Sequence, residues 1–476
     1  IAVEQSKAVD EPAVPANPAN AVAEVNKPSV QSPAPGDVAQ GDDKSPAGMP
    51  MANPSTDSDS ANNSTSTVPP PLPVPTTDDS AAKSQDVAGA SDSPPSGQQQ
   101  PAPRTLKRVS PRAINTNVRL ADSLPGIDVQ GQPLVDFVEL ISAMSTVPIT
   151  LDADAIRDLG QSAAAPVKLH LTDSSVADVL QSALESLRLG YEVRDGQLIV
   201  GYPPQEKLRQ VRYKVEDLVG DDASALVDLA TLTRRMVAPN TWQQVGGKGT
   251  MMVGKGELLV NQAEPAHAQI VTLCQKLRVA RGLPLRGNFD PSRFVLNTRE
   301  DKAKELLDKP ISANFSAPTP LADAVKWLRQ ATGAVILIDH EALAREAASA
   351  QSECEALAVN KPLAKLLDDL TASADLTWRA IDERTIEITS HPAALARMDV
   401  EFYPARNLAK DAAAGEKLIA QIKANVEPQI WGDDADKLAD QAAIYFDQPS
   451  GALIVRAPQR VQAQLEAELA AQHGRK

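Results

Sequence analysis

The chain has 476 residues and a formal net charge of −15. A chain of this length is expected to form about three domains. The excess of acidic residues excludes a nucleic-acid binder held by phosphate neutralisation. The two cysteines, Cys274 and Cys354, are too few for a disulfide framework or a cysteine-rich zinc site, and we expect two free thiols. No apolar run reaches the roughly 18 residues that a membrane-spanning helix needs, so none is predicted.

The first part of the chain differs in composition from the rest. Residues 1–103 hold 18 of the 38 prolines, no aromatic residue and −9 of the total charge of −15. Such a segment cannot bury enough apolar surface to offset its ordering entropy. We therefore predict a disordered, acidic, proline-rich tether over residues 1–112. Within it, PPPLPVP at 69–75 is typical of a stiff extended spacer, with a ligand for an aromatic-lined groove as the alternative.

The end of the tether carries a small basic cluster of Arg104, Lys107, Arg108 and Arg112. We expect these four charges to be solvated, and contact with an anionic membrane surface is the alternative. The chain begins at Ile1 rather than at a methionine. We therefore expect that an upstream segment was removed, with a signal peptide or a membrane anchor as candidates.

The region after the tether contains an internal repeat with a shift of 187 residues. PLVDFVELISAM at 133–144 aligns with PLADAVKWLRQA at 320–331. In each copy Leu, Val and Leu or Ile recur at i, i+4 and i+7, which predicts one buried helix face. ITLDADAI at 149–156 aligns in the same way with ILIDHEAL at 336–343.

Four polar residues are predicted to begin helices in this repeated unit. Asp152 and Asp339 each end a short apolar strand and are placed to cap a short helix. Asp173 and Asn360 precede a second helix and are predicted to cap it.

A predicted hairpin closes each copy of this unit, YEVRDGQLIV at 191–200 and WRAIDERTIEI at 378–388. The predicted order is therefore strand, helix, strand, strand, helix, hairpin, which is a two-layer α/β sandwich.

A second unit follows each copy of the first. It is predicted to open with a strand, YKVEDL at 213–218 or YPARNL at 403–408. A helix follows and ends in VAPNTW or VEPQIW, where the proline is a natural stop. A hairpin and a final helix complete the order strand, helix, two strands, helix, which is a KH-like arrangement.

The sequence thus predicts an α+β protein of four small two-layer α/β modules in two tandem repeats, behind a disordered Pro/Ser/Asp-rich tail. The predicted boundaries are a tether at 1–112, first-type modules at 113–203 and 310–392, KH-like modules at 207–284 and 397–473, and a linker at 285–309.

The first unit resembles the short N-terminal domain of secretins and TonB-dependent systems, the STN domain. The resemblance is carried by the PL-helix opening, the ITLD and ILID strands and the YEVRDGQLIV hairpin. The second unit resembles the KH-like domain of secretin periplasmic regions, through VRYKVEDL, VAPNTW and LLVNQ. In secretins such modules stack as rings below an outer-membrane pore and bind inner-membrane partners, so the resemblance implies a periplasmic location and protein partners. The chain stops at Lys476, so we expect it to lack the secretin pore domain.

Catalytic and metal-binding motifs are weak in this sequence. The five histidines are scattered and no HExxH occurs. His340 lies between Asp339 and Glu341, but the first copy has Ala153 at that position, so helix capping explains the carboxylates better than a metal site. GGKGT at 246–250 lacks the GK[ST] of a phosphate loop and is interpreted as a flexible loop. We therefore predict no catalytic, cofactor or metal site.

Trp242 and Trp431 are the strongest candidates for a special role, because both copies keep them next to a proline at a helix end. A tryptophan there can cap the small core or can be an interface anchor.

These observations favour a non-enzymatic binding or assembly protein of the cell envelope, which acts through sheet edges and helix faces on envelope or secretion-type proteins and on copies of itself. The first alternative is a hydrolase-type enzyme that uses the Asp152/Asp154 region, which a deep pocket with convergent polar groups would favour. The second alternative is a signalling domain of a TonB-dependent system, which a KH-like unit after each copy disfavours.

Overall fold

A computed structural model describes residues 106–204, 207–432 and 440–474. By its contacts the chain divides into Ile1–Pro73 and Val74–Lys476, and every described residue belongs to the second unit. The predicted disorder of residues 1–105 and the PPPLPVP segment therefore lie outside the described residues.

The described chain forms four modules, numbered 1 to 4 in chain order. Module 1 consists of α1 (Thr116–Leu120), β1 (Ser123–Pro133), α2 (Leu134–Ser145), β2 (Ile149–Leu151), α3 (Ala153–Asp158), β3 (Pro166–Ser175), α4 (Val176–Ser186), β4 (Gly190–Arg194) and β5 (Gln197–Gly201). Module 2 consists of β6 (Arg209–Lys214), α5 (Glu216–Val219), α6 (Ala223–Met236), β7 (Thr250–Val253), β8 (Glu257–Gln262) and α7 (Glu264–Ala280).

The same orders of elements recur in the second half, except that among the described residues module 4 has no counterpart of α5. Module 3 consists of α8 (Arg299–Leu307), β9 (Pro310–Pro320), α9 (Leu321–Thr332), β10 (Val335–Ile338), α10 (His340–Arg345), β11 (Glu353–Pro362), α11 (Leu363–Ser373), β12 (Thr377–Ala380) and β13 (Thr385–Thr389). After α12 (His391–Ala396), module 4 consists of β14 (Asp399–Pro404), α13 (Ala412–Asn425), β15 (Ala443–Asp447), β16 (Ala452–Ala457) and α14 (Gln459–Gly474). The predicted α+β class is confirmed.

The sheets follow one plan in each half. Modules 1 and 3 contain three-stranded sheets of order β2-β5-β4 and β10-β13-β12, and two-stranded sheets β1-β3 and β9-β11. The main helices of modules 1 and 3 contact strands of both sheets. Modules 2 and 4 each have one antiparallel sheet, of order β6-β8-β7 and β14-β16-β15.

The helix faces predicted from periodicity are buried. Leu134 and Ile141 on α2, and Leu321 and Leu328 on α9, are each 0 % exposed. Leu134 and Leu321 are each the first residue of their helix and follow a proline. The proline fixes a backbone angle suited to the helix start and lacks the N–H that would remain unpaired there.

Asp173 and Asn360 do not cap the second helix of modules 1 and 3, which corrects the prediction. Both have left-handed backbone conformations, with φ of 48° and 49°. The residue before α4 is Ser175, whose hydroxyl accepts a hydrogen bond from the Asp178 N–H at 3.2 Å, and α11 follows Pro362 without a side-chain cap. Asp and Asn tolerate the left-handed region better than most residues, and this accounts for their recurrence.

The opening strands of the KH-like modules were predicted too late in the chain. β6 ends at Lys214, and the last three residues of the predicted strand belong to α5 (Glu216–Val219) instead. In module 4, β14 spans Asp399–Pro404, so only the first two residues of YPARNL belong to it. Each strand ends where its antiparallel pairing with the central strand ends, which the apolar pattern alone did not locate.

The segment 285–309, which we predict to be a linker, contains folded elements. It contains a 3-10 helix at Pro291–Phe294 and the helix α8. Phe294 is 1 % exposed, and Ala303 and Leu307 of α8 join the core of module 3. The short apolar stripe of α8 among many charges explains why it was missed.

The described end of the predicted tether also belongs to the folded part. The Lys107 N–H donates to the Glu353 carboxylate at 2.8 Å, and the Lys107 carbonyl accepts from the Glu353 N–H at 3.0 Å. Arg108 forms an ion pair with Asp375 at 3.6 Å. Residues 107–110 therefore contact the folded part, and backbone hydrogen bonds of this kind leave no mark in the composition from which the tether was predicted.

Modules 1 and 3 pack through the outer faces of their three-stranded sheets. Every residue of the central strands β5 and β13 is buried. Leu337 of module 3 joins the core of module 1, and the Glu341 N–H donates to the Thr150 hydroxyl at 3.3 Å. Burial of both sheet faces makes these two modules one packed unit.

Module 4 places the outer face of its sheet on helices α6 and α7 of module 2. Phe402 and Ile454 on this face are 1 % and 0 % exposed and lie in the core cluster of module 2. The equivalent positions in module 2 are Arg212 and Leu259, on a face where Arg212 is exposed. The same sheet face is thus apolar and covered in module 4, but largely polar in module 2.

This packing predicts opposite outcomes at equivalent positions. Phe402→Ala should lower the free energy of unfolding by about 3–5 kcal/mol, because it leaves a cavity between modules 2 and 4. The matched variant Arg212→Ala should cost at most about 1 kcal/mol, since it removes one exposed ion pair. Chemical denaturation of both variants measures the difference, and equal losses would contradict the assignment of the covered face.

Candidate functional site

The Asp154 carboxylate lies at the centre of a charge cluster between the modules. It accepts from Arg299 Nη1 and from Arg379 Nη2, both at 2.8 Å. Arg157 and Arg397 lie at 3.7 Å and 3.9 Å from it. Burial disfavours the charged carboxylate, but the arginines, Arg379 foremost, outweigh burial and hold the pKa of Asp154 well below its usual range.

These arginines come from separate parts of the chain. Arg157 is on α3, Arg299 begins α8, Arg379 is on β12 and Arg397 follows α12. The Asp154 carboxylate therefore joins module 1 to module 3 and to the segment that leads into module 4.

Asp152 and Asp339 occupy the helix starts at which they were predicted. Asp152 accepts from the Ala155 N–H at 3.1 Å, and Asp339 accepts from the Ala342 N–H at 2.9 Å. Burial raises the pKa of Asp152, although Arg397, 3.7 Å away, opposes the shift. Asp339 also accepts from the Thr389 hydroxyl at 3.0 Å, which ties the helix start to β13.

Glu341 is the counterpart of Asp154 in module 3, because the two align at the shift of 187 residues. It pairs with Arg194 on β4 of module 1 at 3.2 Å. Asp154 pairs with Arg379 on β12 of module 3. Each module therefore presents an acidic residue to an arginine in the hairpin of the other, and the contact is reciprocal.

The cluster continues through buried ion pairs into modules 2 and 4. Arg379 pairs with Glu387 at 2.6 Å, and Lys276 of α7 pairs with Glu401 of β14 at 3.0 Å. Arg299 pairs with Asp399 and donates its backbone N–H to Glu401 at 3.2 Å. All four modules thus contribute to one connected set of charges.

A cavity of about 1000 Å³ adjoins this cluster. Its walls include Asp154, Asp399, Lys302 and Phe289, and its hydroxyl-bearing residues include Ser292. Among the described residues, its lining contains no histidine or cysteine. Within the described chain, the buried Asp399 Oδ2 has no hydrogen-bond partner, and burial raises the pKa of Asp399.

Trp242 is a core residue and Trp431 is half-buried. Trp242 is 1 % exposed, and its indole N–H donates to the Val237 carbonyl at 2.8 Å. The indole N–H of Trp431 donates to the Val426 carbonyl at 2.6 Å. Each tryptophan thus closes the turn at the end of its helix, and the interface-anchor alternative finds no exposed surface at Trp242.

Modules 2 and 4 each contain a set of hydrogen bonds that sequence reasoning missed. In each, a second side chain connects a tyrosine hydroxyl to a backbone carbonyl. The Tyr213 hydroxyl lies 2.7 Å from His267 Nδ1, and His267 Nε2 lies 2.8 Å from the Arg209 carbonyl. In module 4, the Tyr403 hydroxyl donates to Gln462 at 2.7 Å, and Gln462 donates to the Asp399 carbonyl at 2.9 Å. The recurrence of the tyrosine in both copies was the available signal.

The remaining reactive groups are isolated. Cys274 and Cys354 are free and buried, as predicted, and burial raises their pKa to about 11 and about 12. Burial lowers the pKa of His340 to about 4. Among the described residues, no group of three or more His, Cys, Asp or Glu side chains is placed to hold a metal ion.

No protein-family model matches the chain, and no curated protein matches it. Matching solved structures include a GspC–GspD complex from the type II secretion system of enterotoxigenic Escherichia coli, 12% identical over 34% of this chain and 97% of that chain, with a TM-score of 0.13. The N-terminal domain of the secretin XcpQ from Pseudomonas aeruginosa is 10% identical over 74% of this chain and 99% of that chain, with a TM-score of 0.13. Identities and TM-scores this low do not assign a function.

Within the described ranges, no helix is both long enough and apolar enough to cross a membrane.

The contacts of the charge cluster predict that Asp154→Asn strongly lowers the free energy of unfolding. This change keeps the side-chain shape but leaves buried guanidinium groups without their counter-charge, and should destabilise the chain by about 3–5 kcal/mol. Asp128→Asn is the control, because the Asp128 side chain is 55 % exposed and its one ion pair among the described residues is with His170. Urea denaturation compares the two. A loss at Asp154 no larger than that at Asp128 would exclude the cluster as the joint between modules.

The raised pKa of Glu387 predicts that the free energy of unfolding depends on pH. Burial raises its pKa from 4.5 to about 7, against the opposing effect of Arg379. Because the folded pKa lies above the unfolded one, the protonated carboxyl stabilises the fold at low pH, and this contribution is lost as the pH rises through about 7. The loss amounts to up to about 3 kcal/mol, at about 1.4 kcal/mol per pKa unit.

Glu387→Gln keeps an acceptor for Arg379 but cannot ionise. The variant should lose less stability than the wild type between about pH 5 and pH 8. Parallel pH-dependent melting curves provide the measurement. Identical pH profiles for the two proteins would show that Glu387 does not titrate in this range.

Proposed function

We propose that this chain is a non-enzymatic binding and assembly protein of the cell envelope. It is built from two tandem pairs of secretin-type modules, an STN-like module at 113–203 and 310–392 and a KH-like module at 207–284 and 397–473. The recurrence of both element orders and both sheet orders in the two halves supports this proposal.

The use of the Asp152/Asp154 carboxylates carries the proposal. Asp152 caps a helix and Asp154 pairs with arginines of other parts of the chain. The contacts of both carboxylates thus stabilise the scaffold. A carboxylate held charged by several guanidinium groups is a poor general base, because its affinity for a proton is low. The contacts of Asp154 therefore support a structural role for this residue.

Such a scaffold acts through its surfaces. Sheet edges and helix faces that are not covered by another module are available to protein partners, which we expect to be envelope or secretion-type components in the periplasm. Self-association is part of the same proposal.

The test is recovery of the full-length chain from fractionated cells. A tagged chain should be found in the envelope fraction and should co-purify with secretion-type components, identified by mass spectrometry against a tag-only control. Recovery only from the cytosolic fraction, or with chaperones alone, would contradict the proposal.

The cavity favours a hydrolase-type enzyme as the second candidate, because it is large and its lining includes both Asp154 and Asp399. That function requires turnover of a substrate by the purified chain. Turnover that is lost in Asp152→Asn while the melting temperature is unchanged would replace the non-enzymatic proposal.

A further inference from the structure

The outer edge of β4 in module 1 presents unpaired backbone groups. β4 is an edge strand of the sheet β2-β5-β4. It joins β5 through a two-residue turn in which Asp195 and Gly196 have φ of 50° and 77°, as in a type I′ hairpin. The residues that flank such a turn exchange hydrogen bonds with each other, so the N–H and carbonyl groups of Tyr191 and Val193 point away from β5.

The equivalent edge in module 3 is covered. The Ala380 N–H donates to Gln459 Oε1, and Gln459 Nε2 donates to the Ala380 carbonyl, both at 2.8 Å. The side-chain amide of Gln459 thus satisfies this edge as a neighbouring strand would.

At β4 no such cover is present. Among the described residues, none outside the hairpin hydrogen-bonds to the backbone of Val193, and its side chain is 43 % exposed. An exposed edge of this kind is a template for another strand.

The sequence of the edge is self-complementary. Glu192 and Arg194 flank Val193, form an ion pair with each other within the strand, and have side chains that are 53 % and 48 % exposed. If β4 of a second copy lies antiparallel with Val193 opposite Val193, the outward backbone groups of the two valines meet as a hydrogen-bonded pair. Glu192 of each copy then lies opposite Arg194 of the other, and opposite charges in directly opposed positions are favourable.

The charges select this register over its neighbour. A shift of the second copy by two residues places Glu192 opposite Glu192, and like charges directly opposite each other are destabilising. In the favoured register, the buried Glu341 behind Arg194 and Glu192 of the second copy would hold the guanidinium from two sides.

We propose that two copies of the chain associate through antiparallel pairing of their β4 edges, about a two-fold axis at Val193. The pairing extends the three-stranded sheet of module 1 into a six-stranded sheet across both copies. The proposal specifies the self-association part of the proposed function. The association is weak, because a five-residue edge buries far less than the roughly 1,200 Å² of a stable interface.

Cysteine cross-linking of the purified full-length chain tests the geometry. Cα atoms of a hydrogen-bonded antiparallel pair lie about 5.5 Å apart, within the range of a disulfide. Val193→Cys should therefore form a disulfide-linked dimer under mild oxidation, visible on a non-reducing gel. Val227→Cys is the control, because Val227 is exposed on α6 of module 2. The native cysteines are buried. Cross-linking of Val193→Cys no faster than that of Val227→Cys overturns the proposal.

The second test measures the strength of self-association by sedimentation equilibrium. It uses variants that introduce no cysteine. Val193→Pro removes the outward N–H but no bond to β5, and should weaken association about tenfold or more, since two hydrogen bonds are lost. Val193→Thr keeps the N–H and should associate like the wild type, while Glu192→Lys should weaken association by opposing Arg194. A wild-type chain that stays monomeric, or a Val193→Pro variant that associates like Val193→Thr, overturns the proposal. These experiments use the purified chain alone, so failure here leaves the envelope recovery experiment as a separate test of the proposed function.

Discussion

The partly buried carboxylate of Asp154 joins modules 1 and 3 through two arginines. Asp154 can remain ionised in the interior only because Arg299 and Arg379 reach it from other parts of the chain, and those arginines are buried at comparable cost. A displacement of module 1 against module 3 would leave both signs of charge uncompensated. Apolar sheet faces alone would allow sliding, so we infer that the ion pairs fix the orientation while the apolar contacts supply the attraction.

The two halves share their elements but not their contacts, and polarity explains the difference. Module 4 buries Phe402 and Ile454 on the helices of module 2, whereas module 2 has Arg212 and Leu259 at the same positions of its own sheet. An apolar face needs a cover, and a polar face resists one because its charges would lose their hydration. A few substitutions between the copies therefore limit this packing to one pair of modules within the chain.

Periodicity and turn chemistry predicted the elements well, because both are properties of neighbouring residues. The helix beginning at Leu134 and the hairpin around Asp195 are examples. The partners of Asp154 are 145 and 225 residues away, and no local pattern identifies them. Asp173 was misassigned for a related reason, since Asp favours both helix caps and left-handed positions, and only the surrounding backbone decides between the two.

Some equivalent positions hold different polar residues in the two halves. The properties that both residues of such a pair share are the ones on which the fold depends. His267 and Gln462 contact the equivalent tyrosine and the equivalent backbone carbonyl in modules 2 and 4, although only the histidine is titratable, with a pKa that burial lowers. Asp154 and Glu341 likewise each bind an arginine from the opposite module. What both members of each pair retain is hydrogen bonding or charge in a fixed place, which is the requirement of a scaffold. Gln462 has no acid–base reactivity. The hydrogen-bonding role that it shares with His267 therefore does not depend on such reactivity.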